Sequence, residues 1–248
     1  MKNLILQVAV PMKPLTKKVQ ATFSYMKDMY DHSQVVMKEY ADRVGADYVC
    51  ITEMDSKYPH PAFLRFKIFE QFKEYDQIMY VDADMFFHDM TPDLFEYTER
   101  QSETTFMKID SALPETSISY KKHLKTSKTE TYYNSGFFVF KREFIDKFWN
   151  QHWDIIDLYK KSEWKDQDAL NYMIRNEHEN MYLLSRDWNG VMAVEKPLFN
   201  VHYSGLRKDR WTHEYHNEVI QRKYNRLIDM EITEDLYRME APLTNSLF

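Results

Sequence analysis

The stretch Ile78-Met79-Tyr80-Val81-Asp82-Ala83-Asp84 limits the fold of this chain more than any other segment. A run of apolar strand formers stops at two carboxylates separated by one small residue. Such a run has no polar face to offer to water. It therefore reads as a strand covered on both sides, as in a parallel sheet. The carboxylates then fall at the C-terminal edge of the strand, where open α/β sheets bind ligands. Asp82 and Asp84 repel each other unless positive charge lies between them, and a divalent cation is the commonest remedy. An Asp-x-Asp triplet also occurs on ordinary surfaces. Here Met85, Phe86 and Phe87 follow it, so neither aspartate belongs to a solvated charge run.

The segments before it fit the same sheet. Leu4 to Val10 reads as a first strand and Pro11 to Pro14 as a loop. Val19, Phe23, Met26 and Tyr30 recur at helical spacing. Ser33 reads as the N-cap of a second helix, which Gly45 stops. Ala46 to Thr52 reads as a second strand. Pro59 and Pro61 open a helix whose apolar face is Phe63, Phe66, Ile68, Phe69 and Phe72. Strand, helix, strand, helix, strand predicts an α/β fold with right-handed crossovers.

The middle of the chain changes character. Glu99 to Tyr133 is polar and carries a basic knot at Lys121, Lys122, His123 and Lys125. It reads as irregular structure, either beside a binding face or as a solvated loop. Tyr132 to Phe140 is a further strand, interrupted at Asn134-Ser135-Gly136. Glu143 to Lys161 and Asp166 to Glu177 read as helices, with Trp149, Trp153 and Trp164 in the core. Asn200 to Ser204 closes the sheet region. Residues 1–205 are expected to form one domain, with residues 206–248 packed on it as a helical C-terminal extension.

Composition excludes several classes. With 44% hydrophobic and 29% charged residues the chain is a folding globular protein. A formal net charge of −6 argues against a general nucleic-acid binder. Cys50 is the only cysteine, so no intrachain disulfide forms and a reducing, cytoplasmic setting is expected. The N-terminal apolar run is halted by Pro11 and is too short to span a bilayer, so no transmembrane segment is expected; the protein is read as soluble or peripheral to a membrane.

Five fragments then follow in order: Tyr80-Val81-Asp82-Ala83-Asp84, Asn134-Ser135-Gly136-Phe137, Asp166-Gln167-Asp168-Ala169-Leu170-Asn171, Asp187-Trp188-Asn189 and His202-Tyr203-Ser204-Gly205-Leu206-Arg207-Lys208. Over roughly Leu4 to Trp211 this order resembles the nucleotide-sugar glycosyltransferases of the GT-A fold, a Rossmann-like mixed and mainly parallel sheet flanked by helices. The resemblance is to retaining family 8, with some likeness to family 34. It implies that Asp82, Asp84 and His202 ligate Mn2+ or Mg2+ between them. It implies that Val8, Ala9 and Val10 hold the uracil and ribose, that the Ala83 backbone meets the ribose, and that Gly205 and Lys208 receive the diphosphate. Arg65 would face the donor, on its phosphates or sugar hydroxyls, Asn134 and Ser135 would contact the donor sugar, and Asp166 and Gln167 would flank its anomeric carbon. The donor would be a UDP-sugar carrying glucose or galactose, and the acceptor a glycan, a lipid-linked sugar or a protein. The loop after Lys208 departs from the family pattern, because Asp209-Arg210-Trp211 stands where the family has Pro-Trp. Val8, Ala9 and Val10 also read as ordinary core, Arg65 as a surface charge, and Asp187-Trp188-Asn189 as a structural turn around a buried Trp. Two other readings compete: a non-catalytic nucleotide-sugar binder of the same fold, and a phosphatase of the haloacid-dehalogenase type.

Overall fold

The computed structural model describes residues 1–10, 17–109, 132–162, 164–175, 181–185, 188 and 200–202. Gly205, Lys208 and the expected helical extension lie outside these residues, as do the basic knot, Asp187 and Asn189.

Three strands of the expected kind stand side by side: β1 (Asn3–Val8), β2 (Asp47–Ile51) and β3 (Gln77–Asp82). β1 pairs in parallel with β2 on one side and with β3 on the other. Next to β3 comes β6 (Tyr133–Lys141), then β5 (Thr105–Ile109) and β7 (Met181–Leu183), in the order β2-β1-β3-β6-β5-β7. β6 is antiparallel to both β3 and β5, while β5 and β7 are parallel, so β6 alone in this sheet runs against the rest. The first strand ends before Val10: β1 stops at Val8, and one last bond to β2 follows it, from the Ala9 N–H to the Ile51 carbonyl at 2.8 Å.

Alternation along the strands divides the core in two. Leu4, Leu6, Ile78, Tyr80, Phe138 and Phe140 point to one face, under the 3₁₀ helix Pro61–Phe69 and the helices α3 (Arg142–Phe148), α4 (His152–Tyr159) and α5 (Lys165–Arg175). Ile5, Met79, Val81, Phe137 and Val139 point to the other face, under α1 (Lys17–Val44) and α2 (Leu94–Glu99). Burial on both faces is why these strands read as unbroken apolar runs.

Several expectations need correction. Ser33 is no N-cap: α1 is continuous from Lys17 to Val44 and Ser33 lies inside it, fully buried. Gly45 does end that helix, with a left-handed φ of 67°. The segment opened by Pro61 is a 3₁₀ helix, capped by His60, whose Nδ1 accepts the Ala62 N–H at 3.1 Å. It buries its whole length from Phe63 to Phe69, polar Arg65 and Lys67 included. Asn134-Ser135-Gly136 does not interrupt β6, which runs through it. Glu143 to Lys161 is two helices, broken between Phe148 and His152. Trp164 is 38% exposed and is not core, whereas Trp149 and Trp153 pack against the first apolar cluster. Asn200 to His202 does not join the main sheet. It forms β8, antiparallel to β4 (Met85–Phe87) in a separate two-stranded sheet.

Candidate active site

The site is built where β3 ends. Val8 of β1 is in register with Asp82, and Ala83 and Asp84 turn the chain directly into β4. Across β4, His202 stands opposite Met85, one residue beyond Asp84. Two strand pairings therefore bring together residues 120 positions apart. His202 Nε2 lies 3.2 Å from Asp84 Oδ1 and 3.8 Å from Asp82 Oδ2. One ligand atom from each of Asp82, Asp84 and His202 falls within 4.8 Å of the others. Asp84 and His202 are buried, while the Asp82 side chain keeps 26% of its exposure. Two carboxylates about 4 Å apart repel by about 4 kcal/mol at an effective dielectric near 20. Such a set has the donor atoms that could hold a cation.

The room between these groups depends on β6. A Cβ on Gly136 would lie 2.7 Å from His202 Cε1 and 2.8 Å from Asp82 Oδ2. Any side chain there would press on two of these three side chains, so glycine is the residue that fits.

The turn itself is held from behind. Gln7, fully buried in β1, donates from Nε2 to the Asp82 carbonyl at 3.3 Å and to Ser33 Oγ at 3.1 Å. Ser33 Oγ donates to the Met85 carbonyl at 2.6 Å, and Tyr48 donates to Gln7 Oε1 at 2.7 Å. The carbonyls on both sides of Ala83-Asp84 thus have fixed donors. The sequence reading missed Gln7, although a single amide inside an apolar strand is a visible signal. It also gave Ser33 the wrong task.

Arg65 lies buried between two acidic groups. Nη2 donates to Asp82 Oδ1 at 3.0 Å, Nη1 lies 3.0 Å from Asp166 Oδ2, and Nη1 also donates to the Ser135 carbonyl at 2.5 Å. Burial alone would depress its pKa, but Asp166, Tyr80, Asp82 and Asp84 together raise it, so it stays charged. The surface-charge reading of Arg65 is therefore overturned. Asp166 is held above the usual carboxylate range, because its burial outweighs the Arg65 guanidinium. Burial likewise keeps the Tyr80 phenol protonated, well above its ordinary pKa.

The seam between β6 and α5 supplies the remaining polar groups. Gln167 Oε1 accepts the Ser135 N–H at 3.0 Å, and Ser135 Oγ donates to Asp166 Oδ2 at 3.1 Å. Asn134 Oδ1 accepts the Gly136 N–H at 2.8 Å. Asn171, one turn beyond Gln167, accepts the Tyr133 N–H and donates to the Tyr133 carbonyl, both at 2.8 Å. Its amide thus imitates a neighbouring strand. Lys165, just before Asp166, adopts a left-handed φ of 36°. For a residue with a Cβ this costs roughly 1 kcal/mol, a local strain of the kind that gathers at functional sites.

Of the other expected site residues, Ala9 and Ala83 are buried at the same sheet edge, while Val8 and Val10 pack against the first apolar cluster. Trp188 is fully buried, stacked on Phe137 at 5.9 Å, and its carbonyl accepts from the Asn200 side chain. The burial of Trp188 is as expected, while Asp187 and Asn189 on either side lie outside the described residues. Cys50 is half-buried, and burial pushes its thiol up to about 11, which makes it a poor nucleophile. Among the described residues no helix is long and apolar enough to cross a membrane.

Comparison with known proteins bears on the family and the fold. The sequence profile of glycosyl transferase family 8 matches residues 16–220. No curated protein sequence matches significantly. Among solved structures, a glycosyltransferase involved in glycosylation of the major capsid of PBCV-1 is 11% identical, with a TM-score of 0.56 over 85% of this chain and 98% of that one. The galactosyltransferase LgtC, in complex with donor and acceptor sugar analogs, is 14% identical, with a TM-score of 0.52 over 94% and 98%. The bifunctional glycosyltransferase WbbM is 12% identical, with a TM-score of 0.53 over 90% of this chain and 49% of its own. The fold is GT-A, and the haloacid-dehalogenase alternative falls with the family match.

Proposed function

The chain belongs to glycosyl transferase family 8, and on that premise we propose that it moves a hexose from a UDP-sugar to a hydroxyl acceptor, with Mn2+ or Mg2+ and with retention of anomeric configuration. The observation that carries this reading is the convergence of Asp82, Asp84 and His202 beside Gly136. Two carboxylates and an imidazole suit manganese better than calcium. Such an ion, when bound, stabilises negative charge on the departing diphosphate. The glucose or galactose preference is supported by the family resemblance, and the galactosyltransferase among the structural relatives keeps galactose first to be tested.

The remaining roles fall to the chain's own side chains. Asp82, Asp84 and His202 hold the ion. Val8, Ala9, Val10 and the Ala83 backbone line the base and ribose side. Gly205 and Lys208 take the diphosphate. Asp166 orients sugar hydroxyls, with Asn134, Ser135 and Arg65 beside it. Gln167 presents its carbonyl to the anomeric region. That carbonyl accepts the Ser135 N–H at 3.0 Å and lies 3.3 Å from Ser135 Oγ, which fixes its direction. No strong nucleophile is required, because catalysis rests on positioning around an oxocarbenium-like state. The acceptor is a glycan, a lipid-linked sugar or a protein.

A screen of nucleotide sugars for Mn2+-dependent hydrolysis tests the reading without knowledge of the acceptor. UDP-glucose or UDP-galactose should be turned over slowly, and chelator should abolish the turnover. UDP binding with no turnover of any nucleotide sugar would identify a non-catalytic binder instead.

A further inference from the structure

We propose that Tyr80 is a positioning residue of the metal site, one that decides which oxygen of Asp82 faces the cation; the proposal rests on the metal-dependent reading above. Tyr80 and Asp82 are two residues apart on β3 and so point to the same side of the sheet. The Tyr80 phenol donates to Asp82 Oδ1 at 2.7 Å. Arg65 Nη2 donates to that same oxygen at 3.0 Å. Oδ2 is the oxygen turned to the cluster, 3.8 Å from His202 Nε2 and facing Gly136. Two donors thus hold one oxygen of the carboxylate while the other faces the cation site.

A carboxylate is symmetric, and rotation about its terminal bond is soft. Nothing in the aspartate itself selects Oδ2 for the ion. The selection comes from the donors on Oδ1, and the phenol is the shorter of the two contacts. The Tyr80 ring is held independently of its hydroxyl. It is 1% exposed, stacks on Phe138 at 5.0 Å between centroids, and lies 4.4 Å from the Arg65 guanidinium carbon. Only the hydroxyl is free to be a specialised feature. Partners that orient ligating carboxylates typically govern metal affinity by 10- to 100-fold.

Tyr80→Phe in the full chain removes the hydroxyl and keeps the ring. Titration with Mn2+, read by calorimetry or by the free-ion electron paramagnetic resonance signal, should show affinity reduced about 10- to 100-fold. The melting temperature without metal should stay within a few degrees of wild type, and the donor KM at saturating Mn2+ should not change. In an Asp82→Asn background the same substitution should have no further effect on Mn2+ affinity. Unchanged affinity in Tyr80→Phe, with the wild type binding normally, overturns this proposal alone. A loss that persists undiminished in Asp82→Asn, or a Tyr80→Phe chain that fails to fold, also overturns it. A wild type that does not bind Mn2+ removes the functional reading and this proposal with it.

Discussion

At the end of β3, two carboxylates and an imidazole crowd within 4.8 Å of one another. Where β6 meets α5, polar groups are just as dense but match as donor and acceptor: Asn171 with Tyr133, Gln167 with Ser135, Tyr132 with Asp168. The first region keeps like charges together and gains from a ligand of opposite sign. The second completes itself with hydrogen bonds and needs no ligand to hold its shape. Arg65 touches both, through Asp82 on one side and Asp166 on the other. The contrast teaches that buried polarity by itself does not mark a cation site. What matters is whether the charges around it balance.

Substitutions can break this contrast, and Arg65 should have the largest effect because it serves both regions. Arg65→Met leaves Asp82 and Asp166 without their shared cation and should destabilise the protein by about 3–5 kcal/mol, as for other broken buried pairs; chemical denaturation would measure it. A chain of wild-type stability would mean that the two regions are independent. Asp84→Asn should lower kcat/KM by about 10²- to 10³-fold, in line with a lost electrostatic contact to the transition state. The same change should leave metal-free stability equal or higher, since one like-charge contact is gone. A drop in both would blur the distinction between the regions.

Asn171→Ala should do the reverse. It strands the Tyr133 N–H and carbonyl and should cost roughly 2–3 kcal/mol of stability, while Mn2+ affinity of the folded protein stays at wild type. Ser33→Ala should have the smallest effect, about 1 kcal/mol, with a modest loss of Mn2+ affinity because Met85 loses the hydroxyl donor that steadies the turn. Parallel melting curves and Mn2+ titrations on these variants would separate the two behaviours.

The parts of the fold that could be read from the chain were those whose signal is local. β1, β2 and β3 carry apolar runs bounded by turn residues, and Asp82 and Asp84 stand out because they end one of them. β4 and β7, at three residues each, are too short to show a period, and β5 was hidden in a polar stretch. Ser33 misled because serine favours both caps and buried carbonyl contacts, and only the packing of α1 on the β3–β4 turn separates the two. The break between α3 and α4 falls among Trp and Phe residues that suit either a single helix or two. At the site, the aspartates followed from pattern, but His202 came only through family resemblance, since its approach depends on β8 crossing β4. Tyr80 was invisible for another reason: a tyrosine in an apolar strand looks like core, and its ring is core, so only the hydroxyl carries the extra task.

On the proposed function, a cation seated by Asp82, Asp84 and His202 is what retains a nucleoside diphosphate. Calorimetric titration of the protein with UDP, with Mn2+ and with chelator, tests it most directly. UDP should bind with Mn2+ and lose that binding both in chelator and in Asp84→Asn. Equal UDP affinity under all these conditions would mean that no cation at these residues holds the diphosphate.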